Sequence, residues 1–164
     1  MATTRPTAAS VRIDLLDEQT ALDAIVSELT DEQWVLPTAS PRWSVADQVA
    51  HLAYFDETAA WAIADEDRFR TSLDGLGPAF DPSAGPQAVD DATLGTFRAM
   101  QPGELLAAWR TNRQLLADAA ATLDDDTRVI WYGPSMGAKS FLTARLMECL
   151  SLIHISEPTR LRRI

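Results

Sequence analysis

The chain has 164 residues, of which 46% are hydrophobic and 23% charged, a composition typical of one globular domain and unlike that of disordered or collagen-like chains. Its 14 Lys and Arg residues against 24 Asp and Glu residues give a net charge of -10, which disfavours nonspecific binding to nucleic acid phosphates. No uncharged apolar stretch is long enough to cross a bilayer, and residues 1–10 lack an apolar signal core. We therefore expect a cytoplasmic protein without a membrane or nucleic acid partner.

Apolar residues recur at helical spacing in four segments, which predict four amphipathic helices. These segments are residues 11–29, residues 45–64, residues 102–123 and a last helix that begins within residues 141–149. Shorter helical segments are predicted at residues 30–34 and 90–100. Residues 65–89 contain three glycines and three prolines and predict a long surface loop, while residues 128–132 form an isolated segment of β-prone residues. Four helices with one long crossover predict an all-α four-helix bundle, a fold that can hold a metal between facing helices.

Three side chains are candidates for chemistry or for its support. The single cysteine, Cys149, cannot supply a cysteine cluster, so any metal site must use histidine and carboxylate ligands. His51 borders the apolar face of the second helix, which fits either a hydrogen-bonded structural histidine or a metal ligand. Asp56 lies on that apolar face, where burial of an unpaired carboxylate is costly. We expect a capping or salt-bridge partner for it, or an exposed helix end. A supporting role beside a metal-bound histidine is a further alternative. Glu148 lies near the apolar residues of the last helix. It belongs either to a solvated face of that helix or to a functional site.

Residues 133–140, GPSMGAKS, nearly fit the phosphate loop Gly-x-x-x-x-Gly-Lys-Ser/Thr. Ala138 replaces the second glycine, whose freedom lets backbone amides curl around phosphates. The alternative interpretation is a loop that enters the last helix and is capped by Ser140. Nucleotide binding is therefore kept as a third hypothesis for this chain.

The last fifteen residues, 150–164, change abruptly in character from an acidic, alanine-rich chain to a basic one. Residues 150–160, LSLIHISEPTR, resemble without a mismatch the translation of a transposase-based sequencing-library adapter. We therefore predict a helical domain over residues 1–149, incomplete at its last helix, followed by an adapter-derived tail. A genuine basic interaction tail is the alternative.

The segments WSVADQVAHLAYFD at residues 43–56 and FLTARLME at residues 141–148 resemble the metal-binding N-terminal domain of mycothiol-dependent maleylpyruvate isomerase-like proteins, within the DinB/YfiT-like superfamily. The resemblance implies a divalent metal, usually zinc, held by His51, by Glu148 and by a second histidine four residues beyond that glutamate. Leu152 occupies that place and has no donor atom. His154 is a poor substitute, because a residue six positions after Glu148 in a helix lies about 240° around the axis from it.

The first hypothesis is thus a metal-binding domain of a thiol-dependent isomerase or transferase, with mycothiol as a small-molecule thiol cosubstrate. Loss of the third ligand is expected to impair metal binding, because two protein ligands hold zinc more weakly than three. Any enzymatic activity would belong to the full-length parent. The second hypothesis is a nonenzymatic helical binding module without a metal.

Overall fold

The computed structural model describes residues 5–156 and the side chains of residues 5–151. Seven α-helices account for most of this part of the chain. They are α1 (Ala8–Val26), α2 (Asp31–Trp34), α3 (Val45–Ala64), α4 (Glu66–Leu76), α5 (Pro86–Arg98), α6 (Pro102–Ala120) and α7 (Ala138–Ser156). A 3-10 helix, Gly77–Phe80, follows α4, and two short strands, β1 (Arg128–Val129) and β2 (Met136–Gly137), precede α7. No helix within residues 5–156 has the length and apolar character that a membrane span requires.

The four long helices, α1, α3, α6 and α7, form the predicted bundle. Helix α3 packs mainly against α6, and α1 packs mainly against α7. Their shared core contains Trp109, Phe141, Leu15 and Leu52, all almost fully buried. Helix α3 also contacts α4 and α5, so it is enclosed on several sides.

The prediction of a surface loop at residues 65–89 is wrong, because most of this stretch is helical. The Asp65 side chain accepts a hydrogen bond from the backbone N–H of Arg68 and caps α4, which buries Phe69. Helix α5 begins at Pro86, a residue suited to the first helical turn. Of the three glycines in this stretch, only Gly85 adopts a positive φ, 75°. Local caps and burial therefore outweigh the glycine and proline content.

The end of the described chain differs from the sequence expectation in two further ways. The segment at residues 128–132 is not isolated, since β1 pairs antiparallel with β2 in a small hairpin. Helix α7 begins at Ala138, three residues before the predicted segment, and its backbone is helical as far as Ser156. The helical backbone thus continues past residue 149, where the domain boundary was predicted.

Candidate functional site

Helix α3 carries His51 at the edge of the core. Its N-terminus is fixed by a capping box, in which Ser44 accepts from the backbone of Asp47 and the Asp47 side chain accepts from the backbone of Ser44. The His51 ring lies between two aromatic rings, with its centroid 5.1 Å from Trp43 and 4.5 Å from Phe55. These contacts restrict the orientation of the imidazole.

Helix α7 places Glu148 opposite this imidazole. Although the two residues are 97 positions apart, Nε2 of His51 lies 3.3 Å from Oε2 of Glu148. A carboxylate can only accept, so Nε2 carries the proton of this hydrogen bond. The bond lowers the pKa of Glu148 below its usual value, and the positive charge of Arg145 adds to the effect. Glu148 is therefore ionised at neutral pH.

The paired side chains face a small cavity of about 90 Å³. It is lined by His51, Phe55, Trp131, Phe141, Ala144, Arg145 and Glu148. Phe55, Trp131 and Phe141 contribute aromatic rings to the lining, and the other side chains add a nitrogen donor, a carboxylate and a guanidinium. Such a cavity offers a few convergent polar groups on an apolar lining, the usual character of a small-ligand site.

Asp56 has the salt-bridge partner that the sequence analysis expected. It is fully buried, and its Oδ1 accepts from Arg145 at 2.8 Å. Its Oδ2 accepts from Gln19 Nε2 at 2.9 Å and from Trp109 Nε1 at 3.1 Å. Sequence reasoning singled out neither Gln19 nor Arg145. Both interrupt the apolar stripe of their helix with a buried polar side chain, which is the signal that could have identified them.

A second polar contact holds the ring that lies against His51. The Oδ2 atom of Asp90, on α5, accepts from Trp43 Nε1 at 3.2 Å and from the Arg42 guanidinium at 2.9 Å. Arg42 adopts a left-handed backbone, with φ of 71°, immediately before that tryptophan. Helix α5, predicted only in part, thus supports the position of the imidazole through Trp43.

Two phenol rings, those of Tyr54 and Tyr132, contact the Phe55 ring. Tyr132 O–H is within 3.3 Å of Thr58 Oγ1 and 3.5 Å of the Tyr54 hydroxyl. Burial raises the pKa of both tyrosines, so both stay protonated at neutral pH. They add hydrogen bonds beside Phe55 without adding charge.

The comparison with known protein families decides the identity of the domain. The sequence model of the mycothiol maleylpyruvate isomerase N-terminal domain matches residues 15–151. The chain belongs to this family. Two curated Mycobacterium tuberculosis proteins, one from each of two strains and both named as uncharacterized, are 38% identical over 135 residues. The match covers 82% of this chain and 50% of each relative, so the chain spans about half the length of these relatives.

Two solved structures share the fold of this mycothiol maleylpyruvate isomerase N-terminal domain. The crystal structure of mycothiol-dependent maleylpyruvate isomerase aligns with a TM-score of 0.65 at 13% identity. The structure of a histidine-to-alanine mutant of that enzyme aligns with a TM-score of 0.68 at 14% identity. Each alignment covers 92% of this chain and 61% of the other. The predicted all-α, DinB/YfiT-like fold is thereby confirmed.

The donor atoms of this domain fit two positions of a zinc site. Zinc lies about 2.0–2.2 Å from nitrogen and oxygen ligands, and tetrahedral angles separate two such ligands by about 3.3–3.6 Å. The distance between His51 Nε2 and Glu148 Oε2, 3.3 Å, falls in this range. Within residues 5–151 no group of three His, Cys, Asp or Glu side chains could hold an ion. The third ligand position implied by the family resemblance falls on Leu152. The structure describes side chains only as far as residue 151, so those of Leu152 and His154 lie outside it.

The segment resembling a phosphate loop has a different backbone arrangement in this domain. Residues Met136 and Gly137 pair with Val129 and Arg128 in the hairpin. The backbone N–H of Ala138 donates to the carbonyl of Thr127 at 2.9 Å. In a phosphate loop the backbone amides of this segment point toward the ligand. Here the backbone of residues 136–138 is instead paired with the neighbouring strand. Ser140 lies inside α7, so it is not the cap of that helix.

Proposed function

We propose that this chain is the divalent-metal-binding domain of a thiol-dependent isomerase or transferase, with His51 and Glu148 as metal ligands. The observation that carries the proposal is the distance of 3.3 Å between His51 Nε2 and Glu148 Oε2 at the wall of the cavity. The family match supports mycothiol as the small-molecule thiol partner. Zinc is the metal that the resemblance of residues 43–56 and 141–148 implies. We place the domain in the cytoplasm, where thiols are kept reduced.

The residues of the chain have separate tasks in this proposal. A bound zinc ion would lower the pKa of a thiol or a water molecule and so supply a nucleophile at neutral pH. His51 must release the proton on Nε2 to act as a ligand, and Glu148 is already ionised. Phe55, Trp131 and Phe141 restrict water at the apolar wall.

The position one helical turn beyond Glu148 limits metal binding by this chain. In a helix, residues four apart lie on the same face, so a histidine at position 152 would be aimed at the same ion. Leu152 offers only hydrocarbon there. We propose that the sequence from residue 150 onward derives from adapter DNA. Metal binding by the chain as it stands is accordingly weak.

Replacing Leu152 by histidine tests the site directly. The Leu152→His variant is expected to copurify with close to one zinc ion per chain, measured by elemental analysis after dialysis. The matched control is Leu150→His, which adds the same imidazole to α7 but about 160° around the helix from Glu148. It should bind no more zinc than the parent chain.

A second pair of variants identifies the ligands. In the Leu152→His background, His51→Ala should abolish stoichiometric zinc binding, and Glu148→Gln should weaken it by at least about tenfold. Zinc retained by the His51→Ala variant would refute the site. Failure of Leu152→His to bind zinc at all, with the fold intact by circular dichroism, would favour a helical binding module without a metal.

A further inference from the structure

A single buried carboxylate connects all four long helices of the bundle. Asp56 belongs to α3, and its three hydrogen-bond donors belong to α1, α6 and α7: Gln19, Trp109 and Arg145. Asp56 is 0% exposed and Arg145 is 3% exposed, so both charges are removed from water. A buried pair of this kind keeps its partners only when its geometry is good, because desolvation costs several kcal/mol per ion.

The buried pair lies close to the proposed metal ligands along both helices. Asp56 follows His51 by five residues on α3, and Arg145 precedes Glu148 by three residues on α7. The two contacts are 3.3 Å for His51 with Glu148 and 2.8 Å for Asp56 with Arg145. The later residue of α3 pairs with the earlier residue of α7, so the two helices run antiparallel. They are joined at these two contacts. These points are about 7.5 Å apart along α3 and about 4.5 Å apart along α7.

Direct packing of α7 against α3 is limited. Helix α3 packs chiefly on α6, whereas α7 packs chiefly on α1, and the direct contact of α3 with α7 is small. Apolar contacts are nondirectional and tolerate small shifts along a helix. The Asp56–Arg145 pair is directional, since the guanidinium presents its donors in a fixed plane.

We propose that the Asp56–Arg145 pair is the positioning element that sets the register of α7 against α3, so that Glu148 meets His51. Asp56 is itself fixed by Gln19 and Trp109, and Arg145 lies 5.9 Å from the Phe55 ring that packs on His51. The pair serves geometry more than stability, because a buried ion pair replaced by apolar groups often costs a protein little stability. Its effect on metal binding depends on the proposed function, whereas its effect on register does not.

The test removes both charges together. In Asp56→Asn combined with Arg145→Met, the carbonyl of the new side-chain amide still accepts from Gln19 and Trp109, and no buried charge is left unpaired. The matched control is Asp23→Asn combined with Arg113→Met, which removes an ion pair between α1 and α6 in the same bundle. Both double variants are expected to fold, the control with the lower midpoint of thermal unfolding, because Arg110 loses its carboxylate partner as well.

The first readout needs no metal. Nuclear Overhauser contacts between the His51 ring and the Glu148 side chain should be present in the parent chain and in the control. They should be lost in the Asp56→Asn, Arg145→Met variant. Persistence of these contacts in that variant, with its fold intact, would overturn the proposal. This result is independent of whether the site binds zinc.

The second readout is zinc affinity in the Leu152→His background. The variant without the Asp56–Arg145 pair should bind zinc at least about tenfold more weakly, while the Asp23 control should stay within about twofold of its parent. If Leu152→His alone fails to bind zinc, the metal proposal fails. The Overhauser contacts then still test whether the Asp56–Arg145 pair sets the register of α7 against α3.

A conservative variant covers the case in which the double variant does not fold. Arg145→Lys keeps the buried positive charge but replaces the planar fork by one ammonium group. We expect weaker contacts between His51 and Glu148 in this variant at nearly unchanged stability. Contacts of full intensity together with unchanged zinc affinity would overturn the proposal.

Discussion

Asp23 shows how one carboxylate can depend on two cations. It is 8% exposed on α1 and accepts from Arg110 at 2.6 Å and from Arg113, both on α6. The hydrogen bond from Arg110 makes the largest contribution to the lowered pKa of Asp23. Hydrogen bonds between charged groups are the stronger ones in proteins. The contact therefore stabilises the packing of α1 on α6.

The Asp23 contact should depend on pH in a defined direction. Its folded pKa lies below its unfolded value of about 3.9, so the stabilisation is complete above about pH 4 and is lost as the pH falls below that value. Asp23→Asn should lower the free energy of unfolding by about 1–3 kcal/mol at pH 7 and by less at pH 3. Urea unfolding at both pH values measures this difference.

A control separates the pair from a general loss of charge. Asp14→Asn, on the exposed face of the same helix, should change the free energy of unfolding by less than about 0.5 kcal/mol at either pH. An equal loss of stability at pH 7 and pH 3 in Asp23→Asn would contradict the assignment of its pKa.

The residues of the candidate site were only partly predictable. His51 and Glu148 follow from the resemblance to a family, and the need of Asp56 for a partner follows from its place on an apolar stripe. Sequence alone did not identify Arg145 as that partner. Such a pairing depends on the rotation and register of two helices 89 residues apart, and helical spacing does not encode either quantity.

Helices with strong periodicity and good caps were predictable to within a few residues. The interval predicted for α3 is the observed one, because Ser44 and Asp47 mark its start in the sequence. The stretch at residues 65–89 misled sequence reasoning because glycine and proline were counted without their positions. Pro86 begins a helix there, and Asp65 caps another.

Removing the cap of α3 should weaken the element that carries His51. Ser44 Oγ accepts from the backbone N–H of Asp47 at 3.2 Å. Ser44→Ala is expected to lower the free energy of unfolding by about 1 kcal/mol, measured by urea denaturation. Thr7→Ala, which removes the equivalent cap of α1, is the control and should cost a similar amount. A loss near zero for Ser44→Ala alone would show that Asp47 holds the helix end without it.

At the scale of the whole molecule, the class of fold was predictable and the arrangement was not. Four periodic segments are enough to indicate a helical bundle. The enclosure of α3 by α4, α5 and α6 depends on helices within the supposed loop, so it was missed. The hairpin before α7 was missed for a related reason: β1 and β2 are two residues each, too short to give a pattern.

Cys149 provides a probe of the integrity of the whole bundle. It is 0% exposed on α7, and burial raises the pKa of its thiol well above the usual value. The thiol of the native chain should react with Ellman's reagent at least about a hundredfold more slowly than that of the chain in urea, because exposure requires opening of the core.

A cysteine on the opposite face of the same helix gives the control for this labelling. Ser151 is exposed, so Ser151→Cys should add one thiol that reacts at once in the native state. Rapid reaction of Cys149 in the chain without that substitution would show that α7 separates readily from α1 and α3.

The network around Asp56 also constrains the order in which the chain can acquire its structure during synthesis. The carboxylate leaves the ribosome 89 residues ahead of Arg145, the cation that neutralises it. At about 10 residues per second, this delay amounts to roughly nine seconds. Helix α6 ends at Ala120, so α1, α3 and α6 are all complete only for the last 25 residues, or roughly 2.5 seconds, of this delay, and their closure in that interval would bury an uncompensated negative charge. The nascent bundle must therefore stay hydrated at its centre until the last helix has been translated.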